Sequence, residues 1–234
     1  MSWLIGLALN LVAGFAAFRG GALKPSGFLS GVLIGTLIWG LLGASGWILF
    51  LFFVAGGSLL SSCGYHKKKA MGTAQAEGGR RGWPEALANT GIALAAAFFT
   101  LRIPSAWPVF AFAGALATAL ADTTASELGP LLAPRARHPL TLRPLAAGFE
   151  GAISAAGTVA GLVAAGLMAA LAVLTGLLPW SAFWILPLAA GMGSWLESVL
   201  GVLDLPGFLR RNACLNFINT LVGATLAGAA AFWI

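Results

Sequence analysis

The residues best suited to chemistry in this chain lie in the stretch 118–130, TALADTTASELGP. Read as a helix, it places Thr118, Asp122, Thr123, Ser126 and Glu127 on one broad face, because residues three and four apart stack along a helix. Gly129-Pro130 is then expected to stop it. Two carboxylates and three hydroxyls would thus crowd the last turns of an otherwise apolar segment. Ionisable groups are costly there unless they face a protein interior or a watery cavity, so they are functional candidates by default. The structural alternative is an acid pair at the end of a span, with no ligand.

Other polar residues repeat the pattern. Ser58, Ser61 and Ser62 close an apolar run, and Glu85 and Asn89 open the next. Glu150, Ser154 and Thr158 form an i, i+4, i+8 stripe; Ser194, Glu197 and Ser198 sit near another span end; Asn212, Asn216 and Asn219 are spaced i, i+4, i+7. Singly, such Ser, Thr and Asn residues often only hydrogen-bond between helices. As a set, they predict a polar pocket. Its donors are hard oxygens, with no thiolate cluster or paired histidine, which favours Mg²⁺ over zinc. Mg²⁺ is usually held by one or two carboxylates plus substrate phosphates. The run Lys67, Lys68, Lys69 fits either phosphate binding or a topology signal.

These residues must be positioned by membrane helices. Hydrophobic residues make up 59% of the 234 and charged residues 9%, against about 25% charged in a soluble domain. The apolar segments are continuous rather than alternating, so the fold class is all-α, a polytopic transmembrane helical bundle, and not a barrel. Eight spans are expected, near 1–18, 27–43, 46–63, 84–101, 107–128, 148–177, 181–201 and 213–233, forming one integral-membrane domain over 1–234. A short echo between GSLLSS at 57–62 and GSWLES at 193–198 suggests two parallel four-span halves.

Charge in the loops gives the orientation. Arg19 and Lys24, then Lys67, Lys68, Lys69, Arg80 and Arg81, then Arg135, Arg137 and Arg143, then Arg210 and Arg211 fall on one side of that topology; Arg102 falls on the other. By the positive-inside rule the basic side is cytoplasmic and both termini face outward, in a multi-pass protein of the cell membrane. The 13 basic residues are spent in these loops, so the net charge of +6 is not a nucleic-acid signature. Cys63 and Cys214 have no C-x-x-C spacing and suggest no disulfide framework or zinc site. The polar residues above all lie toward the basic side.

Neither a Walker A sequence nor a Gly-x-Ser-x-Gly elbow is present. Phosphoryl transfer needs neither, since metal, cations and in-line positioning suffice. The stretches ADTTASELG at 121–129, GFEGAIS at 148–154 followed by Gly157-Thr158, GSWLESVLG at 193–201 and NFINT at 216–220, with the serine-rich end of the third span and Ala88-Asn89, resemble the integral-membrane family that includes the plant phytyl-phosphate kinase. The family pattern has Trp at the place of Thr124, Thr-Asn at Phe149-Glu150, and Asp at Glu197.

The resemblance implies a kinase that converts a prenyl monophosphate, such as phytyl or geranylgeranyl phosphate, to its diphosphate with a nucleoside triphosphate, CTP being the expected one. On this reading Asp122, Glu127 and Glu197 hold Mg²⁺, and Lys67, Lys68, Lys69 and Arg143 offset phosphate charge. Asn89, Asn216 and Ser154 orient the lipid phosphate. Ser61, Ser62, Thr123, Ser126, Glu150, Ser198, Asn212 and Asn219 complete the substrate-binding set, and membrane lipid surrounds the whole. Two other classes stay open: a transporter or flippase of a phosphorylated lipid, and a related prenol kinase or lipid phosphatase. One-sided polarity argues against transport, because alternating access usually places the site near the midplane.

Overall fold

The computed structural model describes residues 2–133, 135–146, 148–209 and 211–233. The helices are α1 (Ser2–Arg19), α2 (Pro25–Ser62), α3 (Tyr65–Ala70), α4 (Trp83–Phe99), α5 (Trp107–Leu132), α6 (Ala155–Leu174), α7 (Ala182–Val202) and α8 (Asn212–Ala230). The protein is an all-α membrane bundle. Among the described residues, α1, α2, α5, α6, α7 and α8 with its terminal turn are long and apolar enough to cross a membrane.

Two of the expected spans are arms of α2. Its 38 residues break at Gly43, where φ is 66° and ψ is −160°. Glycine takes such a conformation without a Cβ clash. A straight helix would separate Gly27 from Gly57 by about 45 Å, yet a Cβ on either would strike Arg81. The arms therefore fold back on each other, and the rings of Trp39 and Trp47 meet across the turn at 5.5 Å. α4 has 17 residues, about 26 Å of helix. The bundle thus makes about eight crossings, in the expected order.

α5 is the hub. Seventeen of its residues are buried, from Pro108 to Gly129. Its run of Ala, Gly and Thr is small on every side, which lets neighbouring backbones approach; in lipid this packing, rather than a hydrophobic driving force, holds helices together. At the α5–α8 crossing, a Cβ added to Gly223 would lie 1.8 Å from Thr118 Oγ1. The core consists of small α5 residues packed against alanines of α4, α6, α7 and α8, with Phe50 and Phe53 from α2. By contrast α1 sits at the rim and buries only Gly6 and Asn10.

Two boundaries differ from expectation, and both bear on the site. Gly129-Pro130 does not end α5, which continues to Leu132. A proline this close to a helix end removes one hydrogen bond where water can replace it, so the last turn survives. The long span expected at 148–177 is also shorter: α6 begins at Ala155, with the Ser154 side chain accepting a hydrogen bond from the Gly157 amide at 3.1 Å. Glu150 therefore lies in a turn and not on the helix, and the stripe Glu150, Ser154, Thr158 is not a helical face. The segment between α5 and α6 instead forms a small antiparallel hairpin, Ala136–Arg137 with Pro144–Leu145, further bridged from Arg137 to Ile153. Arg210, one of the expected loop cations, lies outside the described residues.

Candidate active site

A cavity of about 460 Å³ opens at the end of the bundle that carries the basic loops. Its wall comes from α5 (Asp122, Thr123, Ser126), α7 (Ser194, Glu197, Ser198), α8 (Asn212, Asn216) and α4 (Glu85, Asn89). Two loops roof it, 72–75 and the segment from Gly148 to Ser154. The roof is fixed to α7 through a glycine contact: a Cβ on Gly151 would lie 2.4 Å from the Ser198 carbonyl oxygen.

Asp122 and Glu197 form the centre, their carboxyl groups within hydrogen-bonding reach of each other. The Ser194 hydroxyl donates to Asp122 Oδ1 at 3.2 Å. Glu197 also takes a hydrogen bond from Asn219 of α8. With the Asn216 amide turned to face its neighbours, its nitrogen donates to Glu197 Oε1 at 3.2 Å and its oxygen accepts from Asn89 Nδ2 at 3.2 Å. A chain of amides thus links the acid pair to α4. Glu150, exposed in the roof, is within electrostatic reach of Glu197. Two carboxylates in contact repel unless a proton or a cation lies between them. Among the described residues no group of three or more His, Cys, Asp or Glu side chains gathers closely enough to hold a metal by itself. Two carboxylates with room beside them match the donor set Mg²⁺ uses when phosphates supply its other ligands.

Glu127, expected as a third ligand, is elsewhere. It is 2% exposed and paired with Lys68, itself fully buried. The Lys68 ammonium also donates to the carbonyls of Leu60 and Ser61, each at 3.0 Å, so all three of its protons are spent. Lys68 has none left for a phosphate, and Glu127 does not line the cavity. Ser61 and Ser62 return their hydroxyls to the carbonyls of Gly57 and Leu59. Lys67, Lys69 and Arg143 are exposed outside the cavity lining. The structure thus brings together ten expected residues: Asp122, Thr123, Ser126, Glu150, Ser154, Glu197, Ser198, Asn89, Asn212 and Asn216. Asn219 stands behind them on Glu197. The lysine run, Arg143, Glu127 and the α2 serines stay apart.

Among the described residues the cation that lines the cavity is Arg81, expected from the sequence only as a loop charge. Its guanidinium lies 5.6 Å from the centre of the Phe53 ring. Burial pulls its pKa down from the usual value, opposed by the charges of Glu127 and then Glu85. Its backbone is clamped: the amide donates to Ala22 at 3.0 Å, and the carbonyl accepts from Lys24 at 2.9 Å. The available signal was its position two residues before the start of α4 at Trp83, where Pro84-Glu85 follow. Glu85 holds that start by accepting from the Gly82 amide at 2.9 Å.

A hub helix presenting an acid to an amide-lined cavity at one end of a bundle defines a polytopic membrane protein built around a polar, ligand-sized chamber. The chain belongs to the integral membrane protein DUF92 family, whose model matches residues 8–204. It is 35% identical over 235 residues to the uncharacterized membrane protein sll0875 of Synechocystis sp., covering 96% of this chain and 90% of that one. It is 27% identical over 213 residues to the chloroplastic protein VTE6 of Arabidopsis thaliana, covering 88% of this chain and 64% of that protein. The uncharacterized membrane protein MJ0933 of Methanocaldococcus jannaschii is 28% identical over 210 residues, with 87% and 84% covered. No solved structure matches.

Proposed function

We propose that this protein is a prenyl-phosphate kinase, which adds a phosphoryl group from a nucleoside triphosphate, CTP being the expected donor, to a prenyl monophosphate. The observation that carries the reading is the Asp122–Glu197 pair, set in a cavity of amides and hydroxyls inside an apolar bundle. The family resemblance of the motifs that build this cavity supports it.

An oxygen of the lipid phosphate attacks the γ-phosphorus, a new P–O bond forms, and the β,γ-bridging P–O bond breaks to release the nucleoside diphosphate. The attacking group is already an anion, so a strong base is unnecessary; anions must be neutralised and aligned. Asp122 and Glu197 are the residues that would hold Mg²⁺, whose chemistry is to neutralise charge on the transferring phosphoryl group. Ser194 and Asn219 fix the two carboxylates, and Asn216 and Asn89 present amides along one wall. The surrounding apolar helices exclude water and limit loss of the donor to hydrolysis.

The test is purified protein incubated with geranylgeranyl monophosphate, Mg²⁺ and each nucleotide in turn. Formation of the diphosphate supports the reading. Release of free prenol would instead identify a phosphatase, and flux across vesicles without turnover a transporter. The reading also requires the cavity to open to the cytoplasm. A cysteine at exposed Ala76, with Cys63 and Cys214 replaced, should be labelled only from the cytoplasmic side; labelling from outside intact cells overturns that orientation.

A further inference from the structure

A second cavity, of about 300 Å³, lies between α1, α2 and α4. It runs along α2 from Gly27 to Ile34, about 10 Å of helix, and its lining is apolar apart from five side chains. Four of these five are already engaged. The Asn10 amide donates to the Gly6 carbonyl and accepts from Trp47. The Ser58 and Thr90 hydroxyls donate to the carbonyls of Val54 and Ala86. Glu85 caps α4. The fifth is Arg81. Among the described residues its guanidinium makes no hydrogen bond and no ion pair within 4 Å; it lies against the Phe53 ring, with the charges of Glu127 and Glu85 acting on it from further off.

Arg81 and Glu85 line this cavity and the polar one alike, so these two side chains form the wall the chambers share. An arginine with unspent donors in a partly buried setting calls for an anion, and its planar fork suits a phosphate. An apolar slot on one side and the acid pair on the other set the polarity of what would lie across it: hydrocarbon toward α1, phosphate at Arg81, reacting oxygen toward Asp122 and Glu197.

We propose that the cavity between α1, α2 and α4 receives the hydrocarbon tail of the lipid monophosphate and that Arg81 holds its phosphate at the junction of the two chambers. This assignment rests on the kinase reading for the identity of the lipid. It gives the peripheral N-terminal helices a function the acid pair does not need, and it names a substrate-binding residue outside the motifs.

Gly31 offers the sharpest test. It lines the slot, and a Cβ there would meet nothing within 4 Å. Gly31→Leu fills the slot while replacing glycine by a better helix former. Gly166→Leu on α6, also in open space and outside the slot, is the control. The probe is radiolabelled geranylgeranyl monophosphate binding to protein in lipid nanodiscs, with five-carbon dimethylallyl monophosphate as the short competitor. Gly31→Leu should weaken binding of the long lipid by tenfold or more and of the short one by less than twofold. Arg81→Gln should weaken both by tenfold or more, and Arg81→Lys should restore part of the loss. Melting temperatures report whether each variant is folded.

Wild-type binding with these losses, but no turnover with any nucleotide, would sink the kinase and leave the tail slot standing. Normal long-lipid affinity in folded Gly31→Leu and Arg81→Gln would overturn the slot while the kinase stands. Absence of saturable binding by the wild type would overturn the assignment outright.

Discussion

Two acids five residues apart in α5 have opposite surroundings. Asp122 faces a cavity, touches another carboxyl and is steadied by a serine. Glu127 is sealed against Lys68, which two backbone carbonyls hold in place. At about 100° per residue, five positions carry Glu127 some 140° around the helix from Asp122. One face of α5 thus serves the cavity, while the other pins α5 to the last turn of α3 and the end of α2. Buried charge in the same motif does two jobs: where it lacks a partner of opposite sign it is available to a ligand, and where it has one it fixes architecture.

Breaking the sealed pair should give the largest change in stability. Lys68→Met leaves Glu127 as an uncompensated buried carboxylate, a loss that costs about 3–5 kcal/mol. Chemical denaturation in detergent should show that drop. The double variant Lys68→Met, Glu127→Leu should recover much of it, because removing both charges removes the unpaired one. A single variant within about 1 kcal/mol of wild type would show that the pair does not hold α5, and would put Glu127 back among the candidate ligands.

The cavity pair should respond in the opposite way. Asp122→Asn and Glu197→Gln should each lower kinase turnover about 10²–10³-fold, the loss typical of removing one group that organises transition-state charge. Stability should hold or rise, because each substitution relieves a contact between two like charges. Turnover is read by diphosphate formation and stability by melting temperature. Normal turnover in Asp122→Asn would remove the acid pair from the chemistry, and a collapse in melting temperature would make it architectural, as Glu127 is.

Much of this was legible in the sequence, for reasons that differ residue by residue. Long apolar runs mark membrane spans whatever packs around them, so the helices and their order followed from composition. The break at Gly43 falls on the last residue of the expected span 27–43, at its boundary with the next. Polar residues at span ends identified most of the cavity wall, since buried amides and hydroxyls in lipid need partners and gather to find them. Direction around a helix was harder. The broad face assumed for residues 118–127 included Glu127, although helical periodicity alone separates it from Asp122. The lysine run misled because three adjacent identical charges look equivalent, whereas Lys68 points inward and Lys67 and Lys69 point out. The place of Arg81 in the cavity lining depends on its loop packing between α2 and α4, a long-range contact that no local pattern encodes.

The smallest expected effect, at Glu150, tests whether a charge in the roof belongs to the cavity side of this comparison. Glu150 is exposed, lies in the turn before Ser154, and is flanked by Gly148 and Gly151, both at positive φ. It is not on α6, so a helix-end electrostatic role has no geometric basis. What remains is its charge, within reach of Glu197. Exposed charge interactions contribute about 0.2–1 kcal/mol, which sets the scale: Glu150→Asn should raise the Mg²⁺ concentration for half-maximal turnover by about 1.4- to fivefold. Stability should move by no more than about 0.5 kcal/mol, as for most surface substitutions. Salt provides the sharper discrimination. An exposed charge is screened at high ionic strength and a sealed pair is not, so the Glu150→Asn effect on Mg²⁺ should shrink between 0.05 and about 0.5 M salt, while the Lys68→Met loss of stability should persist. A Mg²⁺ requirement unchanged by Glu150→Asn at low salt, together with a clear fall in melting temperature, would make Glu150 part of the roof's structure and confine the cavity's working charge to Asp122 and Glu197.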